Sequence, residues 1–377
     1  MLGLCVLSGE DHVSNPVAEQ IAALKDEDWA IREEAAGLLG AYKDPRAVVP
    51  LIGLLQDPDR SVREAAIGAL RAIGAPSVEA LGACLEQPDL SVQEAASAIL
   101  SSIADERVLP SLIKALRSSD WIVRMHAAKA VGLIRHTDAV VPLIPLLQDK
   151  VKAVREEAAA GLAAIGDPAI PSLVNALRHE EWLVRLHAVE ALGKTRSPQV
   201  VEPLLSVLFN DHDSAVREDA VRALGEIRDS KAVEYLLTAM REPGLRTLAV
   251  EALGRIGDTR AVPVLIEVLT GAKPPEATRS VAGCGDRWNE EFITQSAAAR
   301  ALGMIGDEAA IPSLVDALGP TYTRADAAAA LATFGTKIVP FLIPLLTDST
   351  DENVQFHVRE TLTLAGWRPR RASTIHS

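Results

Sequence analysis

Four residues at near-constant spacing, His126, Glu157, His187 and Asp219, are of the types that bind transition metals or exchange protons, and they recur 31, 30 and 32 residues apart. Stacked helices lie about 8–10 Å apart, whereas the donors to one metal must each come within about 2 Å of it. The spacing therefore favours a row of side chains between layers over a metal centre, and neither a metal nor any other cofactor is expected. Motif chemistry is equally sparse. The chain contains no Gly-x-x-x-x-Gly-Lys-(Ser/Thr), His-Glu-x-x-His or Gly-x-Ser-x-Gly, so neither a phosphate-cradling loop nor a hydrolytic nucleophile is signalled. No catalytic residue is assigned.

Composition narrows the partner. Lys and Arg total 38 against 51 Asp and Glu, a formal charge of −13, which disfavours a nucleic acid because phosphate affinity rests on clustered cations. Cys5, Cys84 and Cys284 are far apart and have no zinc-like spacing, so a reducing cytoplasm is the expected setting. No apolar run reaches the roughly 18–20 residues needed to cross a membrane, and no membrane partner is expected. Aromatic residues are only 3% of the chain while 48% is hydrophobic, so Ala, Leu, Val and Ile must do the packing. That suits many thin layers rather than one thick core.

The layers are visible as a repeat. Aligning on (Asp/Glu)-x-x-Val-Arg-x-x-Ala-x-x-Ala-Leu-Gly puts Arg32, Arg63, Arg124, Arg155, Arg185, Arg217, Arg246 and Arg324 in register, with Gln93, Gln295 and Gln355 in the same slot. The register repeats every 29–32 residues except for one step of 49, and such a period marks a solenoid. Each unit predicts a first helix, such as Ala139 to Leu147 with Pro in its first turn, a polar turn, and a second helix. Asp28, Asp59, Asp89, Asp120, Glu181 and Asp213, four before the Arg, are the expected N-terminal caps. Gly74, Gly166, Gly257 and Gly306, eleven after the slot, are the expected stops.

The phrases Val62-Arg63-Glu64-Ala65-Ala66, Val154-Arg155-Glu156-Glu157-Ala158 and Ile165-Gly166-Asp167-Pro168 resemble HEAT repeats of the short, phycobilisome-lyase-like kind, over about residues 16 to 368. The resemblance implies an all-α, right-handed α-solenoid of about eleven two-helix repeats; the residues outside it read as an N-terminal flexible or capping segment (1–15) and a C-terminal tail (369–377). It also implies that the second helices line a concave surface. Scaffolds, chromophore lyases, a hydroxylase and some DNA glycosylases share such repeats. Deoxyhypusine hydroxylase carries His-Glu pairs directly after the Arg, where this chain has Met125-His126, Glu156-Glu157, Leu186-His187 and Glu218-Asp219. A metal-dependent hydroxylase is therefore the least favoured of these readings.

With the Arg slot as position zero, apolar residues recur at −1, +3, +6, +7 and +10, so −3, +1, +5 and +8 should form the inner wall. Zero and +2 should lie on the flanks, the Arg pairing with an acid of a neighbouring unit. At +1 the wall carries Glu33, Glu64, Glu94, Glu156 and Glu218, but Met125 and Leu186 in units 4 and 6, where Trp121 and Trp182 stand at −3. Trp121 with Met125 and Trp182 with Leu186 are the expected apolar anchors, with Glu94, Glu156, Glu218 and Lys152 around them. The insertion across 271–290 should be irregular backbone overhanging this wall, with Arg279, Asp286, Arg287 and Trp288 as a clamp; Arg287 and Trp288 join the expected contact set. The function expected is a noncatalytic protein-binding scaffold whose acidic inner face selects a partner with basic residues around its apolar contacts. A phycobilin-lyase-like role, with Cys84 or Cys284 as attachment points, is the alternative.

Overall fold

The computed structural model describes residues 15–271, 285–320, 322–349 and 351–367, the side chains of 285–289 and 348 excepted. The first fourteen residues, the tail from 368, and Cys5 and Cys284 lie outside them. The chain is an all-α solenoid of eleven helix pairs, with no strand among the described residues. The second helices are Trp29–Tyr42, Arg60–Ile73, Leu90–Ile103, Trp121–Ile134, Lys152–Ile165, Trp182–Thr195, Ser214–Ile227, Pro243–Ile256, Gly285–Ile305, Arg324–Ala332 and Glu352–Leu364. Contacts divide the chain into two compact units, Met1–Ser172 and Leu173–Ser377. The first unit holds repeats 1 to 5, and the second holds the second helix of repeat 6 with repeats 7 to 11.

Within each unit the core is the predicted stripe. In repeat 2, Val62, Ala66, Ala69, Leu70 and Ile73 are buried, at −1, +3, +6, +7 and +10. Repeat 7 buries Val216, Ala220, Ala223, Leu224 and Ile227 at the same places. First helices are shorter and, from repeat 2 onward, are preceded by a 3₁₀ turn. In repeat 5 the predicted helix over Ala139 to Leu147 is regular only across Val140–Leu143 and continues as a 3₁₀ segment, Ile144–Gln148. Pro145 explains the change, because it has no N–H and its ring crowds the carbonyl one turn back.

The caps follow the chemistry of their side chains. Asp28, Asp59, Asp89, Asp120 and Asp213 accept hydrogen bonds from first-turn amides. Glu181, one methylene longer, makes none and acts only through its charge at the N-terminus. Stops are more uniform than the glycines alone suggest. Every described residue with positive φ sits at +11, and Lys43, Ala104, Arg135, Arg196 and Arg228 occupy that left-handed slot where glycine is missing. The slot is set by the repeat, and glycine only relieves its strain.

One wall position is corrected. Where +8 is glycine it is a stacking contact: Gly40, Gly132, Gly193, Gly225, Gly254 and Gly303 are buried, while Arg71 and Thr363 at the same position stay exposed. A Cβ on Gly132 would come within 2.5 Å of the Gly161 Cα, and one on Gly193 within 2.7 Å of the Ala223 Cβ. The +8 residue of one layer thus meets the +6 residue of the next, and glycine lets the two backbones close.

The insertion also differs from expectation. Repeat 9's second helix begins at Gly285, whereas its counterparts begin at −3, which here is Phe292, or, in repeat 10, at Arg324 itself. The last part of the insertion therefore extends that helix by about two turns. Residues 272–284 lie outside the described residues, as do the side chains of Asp286, Arg287 and Trp288.

Candidate functional site

The Arg slot is structural. Arg32, Arg124 and Arg185 each hold the Asp six before the next slot through Nε and a terminal nitrogen: Asp57 at 2.8 and 2.9 Å, Asp149 at 2.7 and 3.0 Å, Asp211 at 2.7 and 2.9 Å. The remaining nitrogen donates to two carbonyls of its own turn, in repeat 4 those of Ser118 and Ser119. The guanidinium fork is the only side chain that serves both partners at once. Its hydrogen bond holds the Asp57 carboxyl below the usual range. Gln93 keeps the carbonyl contact, to Gln87, and meets Ser118 at 3.4 Å where the acid would stand. Gln295 keeps neither. It is 1% exposed, and both amide atoms lack a partner among the described residues, because the carbonyls it would reach lie inside the prolonged helix.

The +2 row shows how the His and acid series is used. His187 Nδ1 lies 3.1 Å from Glu190 Oε2, and Lys194 donates to Glu190 at 2.6 Å. The His187 hydrogen bond, reinforced by Lys194, brings the Glu190 carboxyl down to about 2. Burial raises Asp219. His126 is lowered by burial and by the charges of Lys129 and Arg71. Among the described residues, no three His, Cys, Asp or Glu side chains come close enough together to hold a metal ion. Cys84 is 1% exposed, and burial raises its thiol, so it is a packed side chain with no access for a covalent partner.

On the face carrying −3 and +1, large apolar side chains stay open to water. Trp121 is 42% exposed and Trp182 41%, and Met125 and Leu186 beside them are half-buried. An indole held at this exposure by the first turn of a helix leaves much of its ring to water, which is costly unless something covers it. Two further apolar side chains share the −3 row of the first unit, Trp29 and Leu90.

The surrounding charges differ from the expected rim in detail. Lys152 is tied to Glu156 at 3.2 Å and Glu218 to Arg222 at 3.4 Å, so both acids are partly neutralised within the chain. Glu94 is not. It lies against Asp120, the cap of the neighbouring helix, and burial together with that second carboxylate raises its carboxyl above the ordinary value. This pair beside Trp121 was not legible in the sequence, because its members come from different repeats.

Stacked two-helix layers, Arg–Asp clasps joining the turns at Arg32, Arg124 and Arg185, and a partly exposed second-helix face define the α-solenoid class. Within it, the chain belongs to the HEAT repeat family. The HEAT repeats model matches residues 17–101, 78–163, 109–179, 140–218, 170–244 and 201–283, and the PBS lyase HEAT-like repeat model matches 294–319. The chain is 38% identical over 114 residues to phycocyanobilin lyase subunit alpha of Picosynechococcus sp., a match covering 28% of this chain and 40% of that protein. Among solved structures it is similar to yeast importin-beta, Kap95p (TM-score 0.59, 15% identity, 94% of this chain and 57% of that one). It is similar also to Kap121p bound to the extreme C-terminus of the phosphatase Cdc14p (TM-score 0.61, 12% identity, 92% and 45%). At these identities the structural likeness shows the fold, and the chain spans about half the length of these solenoids.

Proposed function

We propose that the protein is a docking scaffold for another protein, bound on the free face of the second helices, the side expected to be concave. Two apolar anchors carry the contact: Trp121 with Met125 in the first unit, and Trp182 with Leu186 in the second. Glu94, Glu156 and Glu218, with Lys152, select a partner that sets basic side chains around its apolar contacts. The observation behind this is the exposure of Trp121 and Trp182 at one register, which Trp29 shares, in a chain with five Trp in all. Support comes from solenoids of the same fold that hold protein segments, such as Kap121p with Cdc14p. Arg287 and Trp288 stay in the proposal as further contacts from the insertion. The few scattered cysteines suit a reducing, cytoplasmic setting.

The test is cross-linking mass spectrometry to identify the partner, followed by titration of that partner onto Trp121→Ala, Trp182→Ala and the double variant. Each single change should weaken binding about tenfold or more, as for a central aromatic anchor. Unchanged affinity in the double variant, with circular dichroism intact, would end this reading.

A second reading, a chromophore-handling protein, is favoured by the 38% identity to the phycocyanobilin lyase subunit. Co-expression with a bilin-synthesis pathway distinguishes the two. Retained bilin absorbance after purification supports the second reading, and colourless protein opposes it.

A further inference from the structure

Two kinds of mid-helix glycine occur in the first unit. Those at +8 are pressed against the next layer. Gly37 and Gly68, at +5 of repeats 1 and 2, are exposed, and a Cβ on either would meet nothing within 4 Å. Each weakens its helix by about 1 kcal/mol relative to Ala, and packing within the chain gives no return. Ala98 continues the row in repeat 3, and Lys129 ends it in repeat 4.

Two further rows run beside this bare one across the same helices. The −3 row sets out exposed Trp29, Leu90 and Trp121, interrupted by Arg60. The +1 row sets out Glu33, Glu64 and Glu94, and then Met125. Arg60 pairs with Glu64 at 2.7 Å, while Glu33 and Glu94 have no ion-pair partner among the described residues. The surface is therefore an apolar ridge, a carboxylate row with unspent charge at Glu33 and Glu94, and a floor bare in repeats 1 and 2, small at Ala98 and closed by Lys129 in repeat 4.

We propose that this face of repeats 1 to 4 is the docking groove for an extended polypeptide segment in the polyproline II conformation, carrying Lys or Arg at every third residue. Layer spacing selects that occupant. Adjacent helices lie about 8–10 Å apart, and one three-residue turn of polyproline II advances about 9 Å, so one side chain in three faces each layer's carboxylate. A β-strand presents the same face every two residues, about 7 Å, and loses register within a few layers. The main chain of the segment lies on the bare row, where the missing Cβ atoms allow close approach. Its last cation meets Glu94 and Asp120 beside the Trp121 ring, where carboxylate and cation–π attraction act together. The assignment rests on the docking reading above and narrows it to the first unit.

The experiment uses the full chain and three synthetic peptides of about twelve residues, four polyproline II turns, with identical Lys and Pro content. Lysines stand at every third position, at every second position, or in one block, and binding is followed by calorimetry at two salt concentrations. The period-three peptide should bind about tenfold tighter than the others, a difference of about 1.4 kcal/mol, and should weaken with salt. Gly37→Leu with Gly68→Leu fills the floor with good helix formers; it should abolish that preference while raising the unfolding midpoint. Equal binding of the three peptides, no binding of any, or full peptide affinity in the Leu variant overturns the proposal. The identified protein partner separates this failure from that of the docking reading. If Trp121→Ala weakens it and the Leu variant binds it like wild type, the groove falls and docking stands; if neither change matters, both fall.

Discussion

The +5 row of repeats 1 to 3 and that of repeats 6 to 9 occupy the same register on equivalent helices, yet they are built from opposite materials. Repeats 1 to 3 place Gly37, Gly68 and Ala98 there; repeats 6 to 9 place Glu190, Arg222, Glu251 and Arg300. In the second unit those charges answer one another. Arg222 reaches Glu218 and Asp219 at 3.4 and 3.2 Å, and Arg300 bridges Glu251 and Asp326 at 3.4 and 3.3 Å, crossing from layer to layer. In the first unit Glu33 and Glu94 lack such a cation. A repeat that fixes its core so tightly leaves the free face open to vary, and the two halves of the row divide into a self-satisfied ladder and an unfinished one.

The sharpest way to break the comparison is to exchange the roles of its glycines. Gly132→Val forces a branched side chain into a gap where even a Cβ would lie 2.5 Å from the facing backbone. It should destabilise the first unit by about 3 kcal/mol or more in urea unfolding, the upper range for overpacking. A next, smaller loss is expected in the second unit from Asp211→Ala, which strips Arg185 of its two-pronged partner in a largely shielded turn. About 2 kcal/mol is the size of a lost hydrogen bond to a charged group, read from the same measurement.

Gly68→Ala should move the other way, raising stability by about 1 kcal/mol, because nothing in the chain opposes the added methyl group. Destabilisation there would show that the bare row has an internal packing reason and would dissolve the contrast. The pH dependence tests the same ladder. Glu190 falls from an ordinary 4.5 to about 2, so its stabilising contribution is complete above about pH 4.5 and is lost as pH falls toward 2. Glu190→Gln should flatten that acid limb in thermal melts. Glu94 is raised, so its charged form opposes folding, and Glu94→Gln should be neutral or stabilising at pH 7 while weakening the partner. A Glu94→Gln protein that melts lower would contradict the picture of an acid without a cation.

Much of the architecture was legible before any coordinates. The period of about thirty gave the number of layers, Asp four before the slot gave the caps, and the angular pattern gave the buried stripe. Trp121 and Trp182 stand exposed at the register where the wall was expected. The +8 residues show the limit of that reasoning. At 100° per residue, +8 shares its direction with +1, but it lies about 10 Å further along the axis, where neighbouring helices converge. Direction around a helix is a local property and can be read from spacing. The place where two helices approach depends on how they cross.

The sequence by itself determined the buried stripe of the second helices, most of their starts and stops, and that the chain stacks as a solenoid, since these follow from backbone geometry repeated within thirty residues. Only the tertiary structure decided which acid each arginine grips, that Glu94 stands against Asp120, that Gln295 is buried without a hydrogen-bond partner, and which glycines are pressed and which are bare. Those facts depend on atoms brought together from different layers, and the distance between layers is written in no single repeat.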